Sequence, residues 1–161
     1  LVYLPPGEVE PRPFASTPAI EIQPTVSRDG RYVAYAFDAT GSPEIDVQPF
    51  PPTGAKWVIA ESASVPVFSA DGKELLFTQG RALMAVPVST AGAFSAGAPR
   101  RLFDLPVSAV LSSDTTTTFD VAPDGRLLLV RSSASGFMGG HINVVLNWFE
   151  KLERTLAGQA P

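Results

Sequence analysis

The chain has no cysteine, a single histidine and only two methionines in 161 residues. Without thiols there can be no disulfide staple, no thiol catalysis and no cysteine-ligated metal. A lone histidine argues against zinc and copper as well, so neither metal nor cofactor is expected. Charge is sparse at 17% of residues, and the net charge is −4. A nucleic-acid binder needs a basic footprint, so no nucleic-acid partner is expected. No apolar run approaches the ~18 residues of a membrane-crossing helix, and this segment is not expected to insert into a membrane. Wholesale disorder is excluded too, because it needs low hydrophobicity and high net charge, whereas 45% of this chain is hydrophobic. What the chain has in abundance is punctuation: sixteen prolines and thirteen glycines. Such a density of breakers leaves no room for long helices and calls for short elements joined by turns.

Three segments repeat one pattern. Residues 24–35 read Pro-Thr-Val-Ser-Arg-Asp-Gly-Arg-Tyr-Val-Ala-Tyr, residues 66–77 read Pro-Val-Phe-Ser-Ala-Asp-Gly-Lys-Glu-Leu-Leu-Phe, and residues 119–130 read Phe-Asp-Val-Ala-Pro-Asp-Gly-Arg-Leu-Leu-Leu-Val. The Asp-Gly pairs Asp29-Gly30, Asp71-Gly72 and Asp124-Gly125 lie 42 and 53 residues apart. A period of about 40–45 residues is what four short strands and their turns occupy in a propeller blade. The longer interval reads as one repeat with an insertion.

Within each repeat an apolar run enters the Asp-Gly turn and leaves as a second run, the strongest short-range hairpin signal. We call the strands of a repeat a, b, c and d. Strand b is expected at 32–37, 74–78 and 127–131, strand c at 44–49, 83–88 and 142–148, and strand d at 56–60 and 100–103. The division is then 1–18 as strands c and d of a preceding blade, blades at 22–63 and 64–110, a last blade at 115–148 lacking its d strand, and a tail at 149–161. In the tail Trp148, Leu152 and Leu156 recur at helical spacing. The expected fold is all-β, a partial β-propeller of about three four-stranded antiparallel blades with a leading half blade and a short C-terminal helix. Leu1 falls inside a strand-like run with no signal-peptide pattern, as expected of a piece of a longer polypeptide.

The pattern Pro-x-[Val/Phe]-Ser-x-Asp-Gly-[Arg/Lys] resembles the TolB-like, WD-repeat-like unit of six-bladed bacterial propellers. Three further stretches resemble the propeller tail of bacterial serine/threonine kinases and related sensors. These are Val47-Gln48-Pro49-Phe50-Pro51 with Gly54-Ala55-Lys56-Trp57, then Leu83-Met84-Ala85-Val86-Pro87-Val88 with Gly97-Ala98-Pro99-Arg100, and finally Ile142-Asn143-Val144-Val145-Leu146-Asn147-Trp148. The resemblance implies a bacterial, extracytoplasmic or periplasmic setting. It does not carry kinase activity to a chain that holds no kinase domain.

Catalytic patterns are missing where they would be sought. Ser133-Ala134-Ser135-Gly136 lacks the leading glycine of a nucleophile elbow. The glycine-rich stretch 136–140 lacks the P-loop lysine. Asp29, Asp71 and Asp124 each precede glycine in a hairpin, so turn chemistry accounts for them. Trp57 and Trp148 read as packing between blades. The expected function is a non-enzymatic propeller segment for protein or ligand recognition, the sensor or scaffold tail of a larger bacterial protein, with a protein or peptide as the expected partner. The alternatives are an accessory propeller of a prolyl-oligopeptidase-type hydrolase and a TolB-like cell-envelope component. Two connections are long, 104–118 (d to a) and 132–141 (b to c). In a meander both fall on the face opposite the Asp-Gly turns, and long loops on a rigid scaffold tend to carry function. The candidate contact residues there are Asp114, Thr116, Phe137, Met138 and His141. An incomplete ring leaves strand edges and apolar faces bare. Self-association is therefore expected, with two copies closing a six-bladed ring and the leading strand at 12–15 supplying the missing d strand.

Overall fold

A computed structural model describes residues 1–106 and 118–130 and the backbone of Ile142–Val144. Every element among them is a strand, and every pairing is antiparallel. A leading hairpin joins β1 (Val2–Tyr3) to β2 (Arg12–Pro13). The first full blade runs β3 (Ile20–Val26), β4 (Tyr32–Asp38), β5 (Glu44–Pro49) and β6 (Trp57–Glu61), paired in that order. The second has β7 (Ala63–Phe68), β8 (Glu74–Gln79) and β9 (Ala82–Ser89). Its fourth strand is interrupted: β10 (Ser95–Ala96) and β11 (Arg100–Asp104) both pair with β9. The third contains β12 (Phe119–Val121), β13 (Leu127–Val130) and β14 (Ile142–Val144). This is a partial propeller of successive meanders. The expected C-terminal helix and the end of the last c strand lie outside the described residues.

Alternation within strands builds the stack. Tyr32, Ala34 and Ala36 of β4 face the second blade with Ile45 and Val47, against Leu75, Phe77 and Val86. Val33, Tyr35 and Phe37 point the other way, onto Phe14, Tyr3 and Leu1 of the leading hairpin. Leu76, Leu83 and Ala85 then meet Phe119, Val121 and Leu127 of the third blade. With both faces covered, β4 and β8 are near-continuous apolar runs, whereas β13 alternates and leaves Leu128 and Val130 exposed.

The first strands converge. Pro24 and Thr25, Pro66 and Val67, and Phe119 and Asp120 line one open pocket of about 380 Å³, with Leu128 and Val130 of β13 beside them. Each of the first two carries a bulge at the same repeat position, with two residues facing one partner. Gln23 there has φ 56° and Val65 has φ 55°, a left-handed conformation costly for a β-branched residue. The bulges meet across the blades: the Val65 N–H donates to Gln23 Oε1 at 2.9 Å.

The interruption of the second blade's outer strand turns on Gly97. Its N–H donates to the Pro87 carbonyl at 2.8 Å, and a Cβ there would stand 2.8 Å from Pro87 Cγ. Gly97→Ala is therefore expected to destabilise the chain by about 1–3 kcal/mol, the range for overpacking a tight contact. A urea midpoint that does not move would refute this account of the glycine.

Candidate recognition surface

Each Asp-Gly turn is a small hydrogen-bonded device. Gly30 takes φ 72° and donates to the Ser27 carbonyl at 2.8 Å. The Asp29 carboxylate accepts from Ser27 Oγ at 2.7 Å and from the Arg31 N–H at 3.1 Å. Ser27 Oγ in turn accepts from the Tyr32 N–H at 2.9 Å. Ser69, Asp71, Lys73 and Glu74 repeat this set in the second blade. These bonds, from the serine hydroxyl first, hold the Asp29 and Asp71 carboxyls below the usual range. For Asp124 the chief cause is Arg126.

The third turn differs because Ala122 stands where the others have serine. No hydroxyl is there to receive the strand-b N–H, and the hairpin closes one residue tighter: Ala122 N–H donates to Arg126 O, while Ser27 N–H donates to Tyr32 O. The register follows, Val121 facing Leu127 where Val26 faces Val33. The Asp124 carboxylate instead pairs with Arg126 at 2.7 Å. All three aspartates, with Gly30, Gly72 and Gly125, are thus turn residues.

The molecule has two distinct ends. At one, the Asp-Gly turns lie beside the c–d loops: Arg31 donates to the Thr90 and Gly92 carbonyls at 2.8 and 3.1 Å, and Tyr32 OH to Gly92 O at 2.9 Å. At the other, b–c loops meet d–a connections, as in Ser42 Oγ to Ser62 Oγ at 3.1 Å and Arg81 donating to Leu105 O at 2.6 Å. Leu105, where the long d–a connection begins, belongs to this second end. Asp114, Thr116, Phe137, Met138 and His141 lie outside the described residues.

Two features on the blade faces were not singled out from sequence. The first is a buried polar cluster between the leading hairpin and the first blade. Asp46 is fully buried. Its Oδ2 accepts from Lys56 Nζ at 2.9 Å, and its Oδ1 has no hydrogen-bond partner among the described residues. Burial pushes its carboxyl up, and the lysine only partly offsets this. Burial works against the Lys56 ammonium too, but Asp46 and Glu44 hold its pKa above the usual value. Gln48 Nε2 donates to the Tyr35 hydroxyl. Burial first, then the Asp46 charge, pushes that phenol up to about 12. An acid inside an apolar strand, ten residues before a lysine, was the available signal.

The second feature is a pair of equivalent clefts on the Asp-Gly end. Between the first two blades, Phe94 from the c–d loop packs on Tyr32 and Trp57, with ring centroids 5.3 and 5.2 Å apart. Trp57 thus packs between blades as its sequence context suggests. Between the second and third blades lies a cleft of about 450 Å³, floored by Leu76, Leu102 and Leu127. Among the described residues no group of three or more histidine, aspartate or glutamate side chains could hold a metal ion.

Successive antiparallel meanders stacked face to face place the chain in the propeller class. No protein-family model and no curated protein sequence matches it. Solved structures do. An acylaminoacyl peptidase from Pyrococcus horikoshii superposes with a TM-score of 0.50 at 19% identity, over 81% of this chain. The chain spans only 20% of that enzyme's length. An acylaminoacyl peptidase in complex with Z-Gly-Gly-Phe-chloromethyl ketone gives 0.48 at 18% identity, covering 81% of this chain and 20% of the enzyme. A protein from Lactobacillus plantarum gives 0.42 at 13% identity, covering 80% of this chain and 41% of the other. At 19% identity the likeness to the Pyrococcus horikoshii enzyme is one of fold alone.

Proposed function

We propose that this chain is a non-enzymatic recognition segment, a propeller portion that presents loops to a protein or peptide partner as the sensor or scaffold tail of a larger protein. The carrying observation is that the repeated carboxylates, the obvious candidates for chemistry, are all engaged in turn hydrogen bonds. The sequence likeness of 47–57, 83–100 and 142–148 to the propeller tails of bacterial serine/threonine kinases and related sensors supports the sensor setting. Long connections on a scaffold of rigid blades suit display.

The test uses an immobilised peptide library and the whole chain. The intact chain is expected to retain a subset of peptides, and a variant with 132–140 replaced by a short turn is expected to lose them while its melting midpoint moves by less than about 2 °C. Turnover of aryl-ester or peptide-anilide substrates by the chain alone would refute the reading. The fold likeness to acylaminoacyl peptidase favours a second reading, an accessory propeller that screens peptides for a hydrolase domain. That reading shares the peptide chemistry and differs in requiring the hydrolase domain to be joined to this one.

A further inference from the structure

An aspartate followed by glycine can isomerise without an enzyme. The glycine nitrogen bonds to the aspartate Cγ, and one carboxyl oxygen leaves as water with the amide proton and the carboxyl proton. Water then adds to the main-chain carbonyl carbon of the aspartate. The bond from that carbon to the nitrogen breaks, and the chain runs on through Cβ and Cγ as isoaspartate. Two freedoms are required. The glycine N–H must leave its hydrogen bond, and the carboxyl must leave its partners and turn toward the nitrogen.

The glycine side is the same in all three turns. Gly30, Gly72 and Gly125 donate to the carbonyls of Ser27, Ser69 and Ala122 at 2.8, 2.9 and 2.9 Å. The carboxylate side is not. Asp29 and Asp71 each accept from a serine hydroxyl at 2.7 Å, and that hydroxyl is itself held by the N–H of Tyr32 or Glu74. The carboxylate is thereby tied to the start of strand b. In the first turn Arg31 is also clamped to the Thr90 and Gly92 carbonyls. Ala122 supplies no such hydroxyl. Asp124 accepts from the Arg126 N–H at 3.2 Å and from the Arg126 Nε at 2.7 Å, and the two side chains are 55% and 45% exposed. A surface pair of that kind restrains little. The hairpin around it also has the shortest first strand: β12 has three residues where β3 and β7 have seven and six. Fewer ladder bonds therefore resist local opening.

We propose that Asp124 is a site of spontaneous modification, converting to isoaspartate in the folded chain ahead of Asp29 and Asp71. The conversion adds a methylene to the backbone of the tightest turn, between Val121 and Leu127, which pack onto the second blade. The assignment is independent of what the chain recognises.

The test incubates the intact 161-residue chain at neutral pH and digests samples with an endoproteinase that cuts before aspartate and not before isoaspartate. Cleavage before Asp124 is expected to be lost about fivefold faster than before Asp71, the factor that one ordinary hydrogen bond is worth. Asp29 should be slowest, and the product should equal the starting chain in mass. In urea the three rates should converge, because the restraint lies in the fold. Ser69→Ala is expected to raise the Asp71 rate about fivefold and leave Asp124 unchanged, and Ala122→Ser to slow Asp124. Equal rates at the three sites in the folded chain would overturn the proposal. So would an Asp124 rate that stays ahead of the others in urea, which would make the preference one of neighbouring sequence. An Asp71 rate indifferent to Ser69→Ala would remove the role given to the hydroxyl, and a loss of cleavage with a change in mass would mean a different reaction.

Discussion

Lys56→Met is expected to cost about 2 kcal/mol at pH 7, and to cost less as the pH falls. Removing one partner of a buried pair strands the other charge, at about 3–5 kcal/mol when both are buried. Lys56 is 37% exposed whereas Asp46 has no exposed surface, so solvent screening reduces the figure. The pH sign follows from Asp46. Its folded pKa is raised above 3.8, so the folded state binds the proton more tightly. Stability from this group is therefore fully present below the unfolded value and falls as pH rises through the folded one. Loss of the ammonium raises that pKa further, and protonation then relieves the stranded charge. Urea midpoints at pH 7 and about pH 5 should show the deficit of the variant shrinking, and Asp46→Asn added to Lys56→Met should recover most of it. The turn aspartates act in the opposite sense in both proteins. Their lowered pKa values give stability that is present above 3.8 and lost in stronger acid. A deficit equal at the two pH values would contradict the role given to Asp46.

Phe94→Ala should be the larger loss, about 3 kcal/mol or more. The ring is 5% exposed and touches both Tyr32 and Trp57, and truncating a buried phenylalanine costs about 3–5 kcal/mol. For a chain of this size that is a fall in the melting midpoint of roughly 6–12 °C. Phe94→Leu, which refills most of the space, should cost less than half as much. If alanine were tolerated at this position, the loop would be a passive covering of the first two blades.

The repeat was legible because each blade restates it at three levels. Asp-Gly marks the turn, alternating apolar residues mark both covered faces, and the spacing marks the blade. Strand c at 44–49 coincides with β5, the b strands at 32–37 and 74–78 stop one residue short of β4 and β8, and β10 has no counterpart among the expected strands. The turn geometry was less legible. Asp tolerates positive φ, yet only the glycine adopts it, and the carboxylate works as an acceptor instead. That Ala122 would shorten its hairpin by one residue could be seen only once the serine hydroxyl was known to receive a strand N–H. The clefts were hidden for another reason. Phe94 sits in a loop with no periodicity, and its partner Tyr32 is a long way off in sequence, so no local pattern links them. The contact residues expected in 104–118 and 132–141 lie outside the described residues.

The backward reach of the c–d loops bears on how the protein is made. Phe50 packs onto Tyr3 and Phe14 of the leading hairpin, and Phe94 onto the first blade. The first and second blades thus each seal the interface before them. The hydroxyl of Tyr32 waits for a carbonyl 60 residues later. At synthesis rates of about 5–20 residues per second, that is some 3–12 s after Tyr32 is added. During translation the first blade stays unsealed on one side until the outer edge of the second has left the ribosome, so its maturation lags one blade behind the growing end.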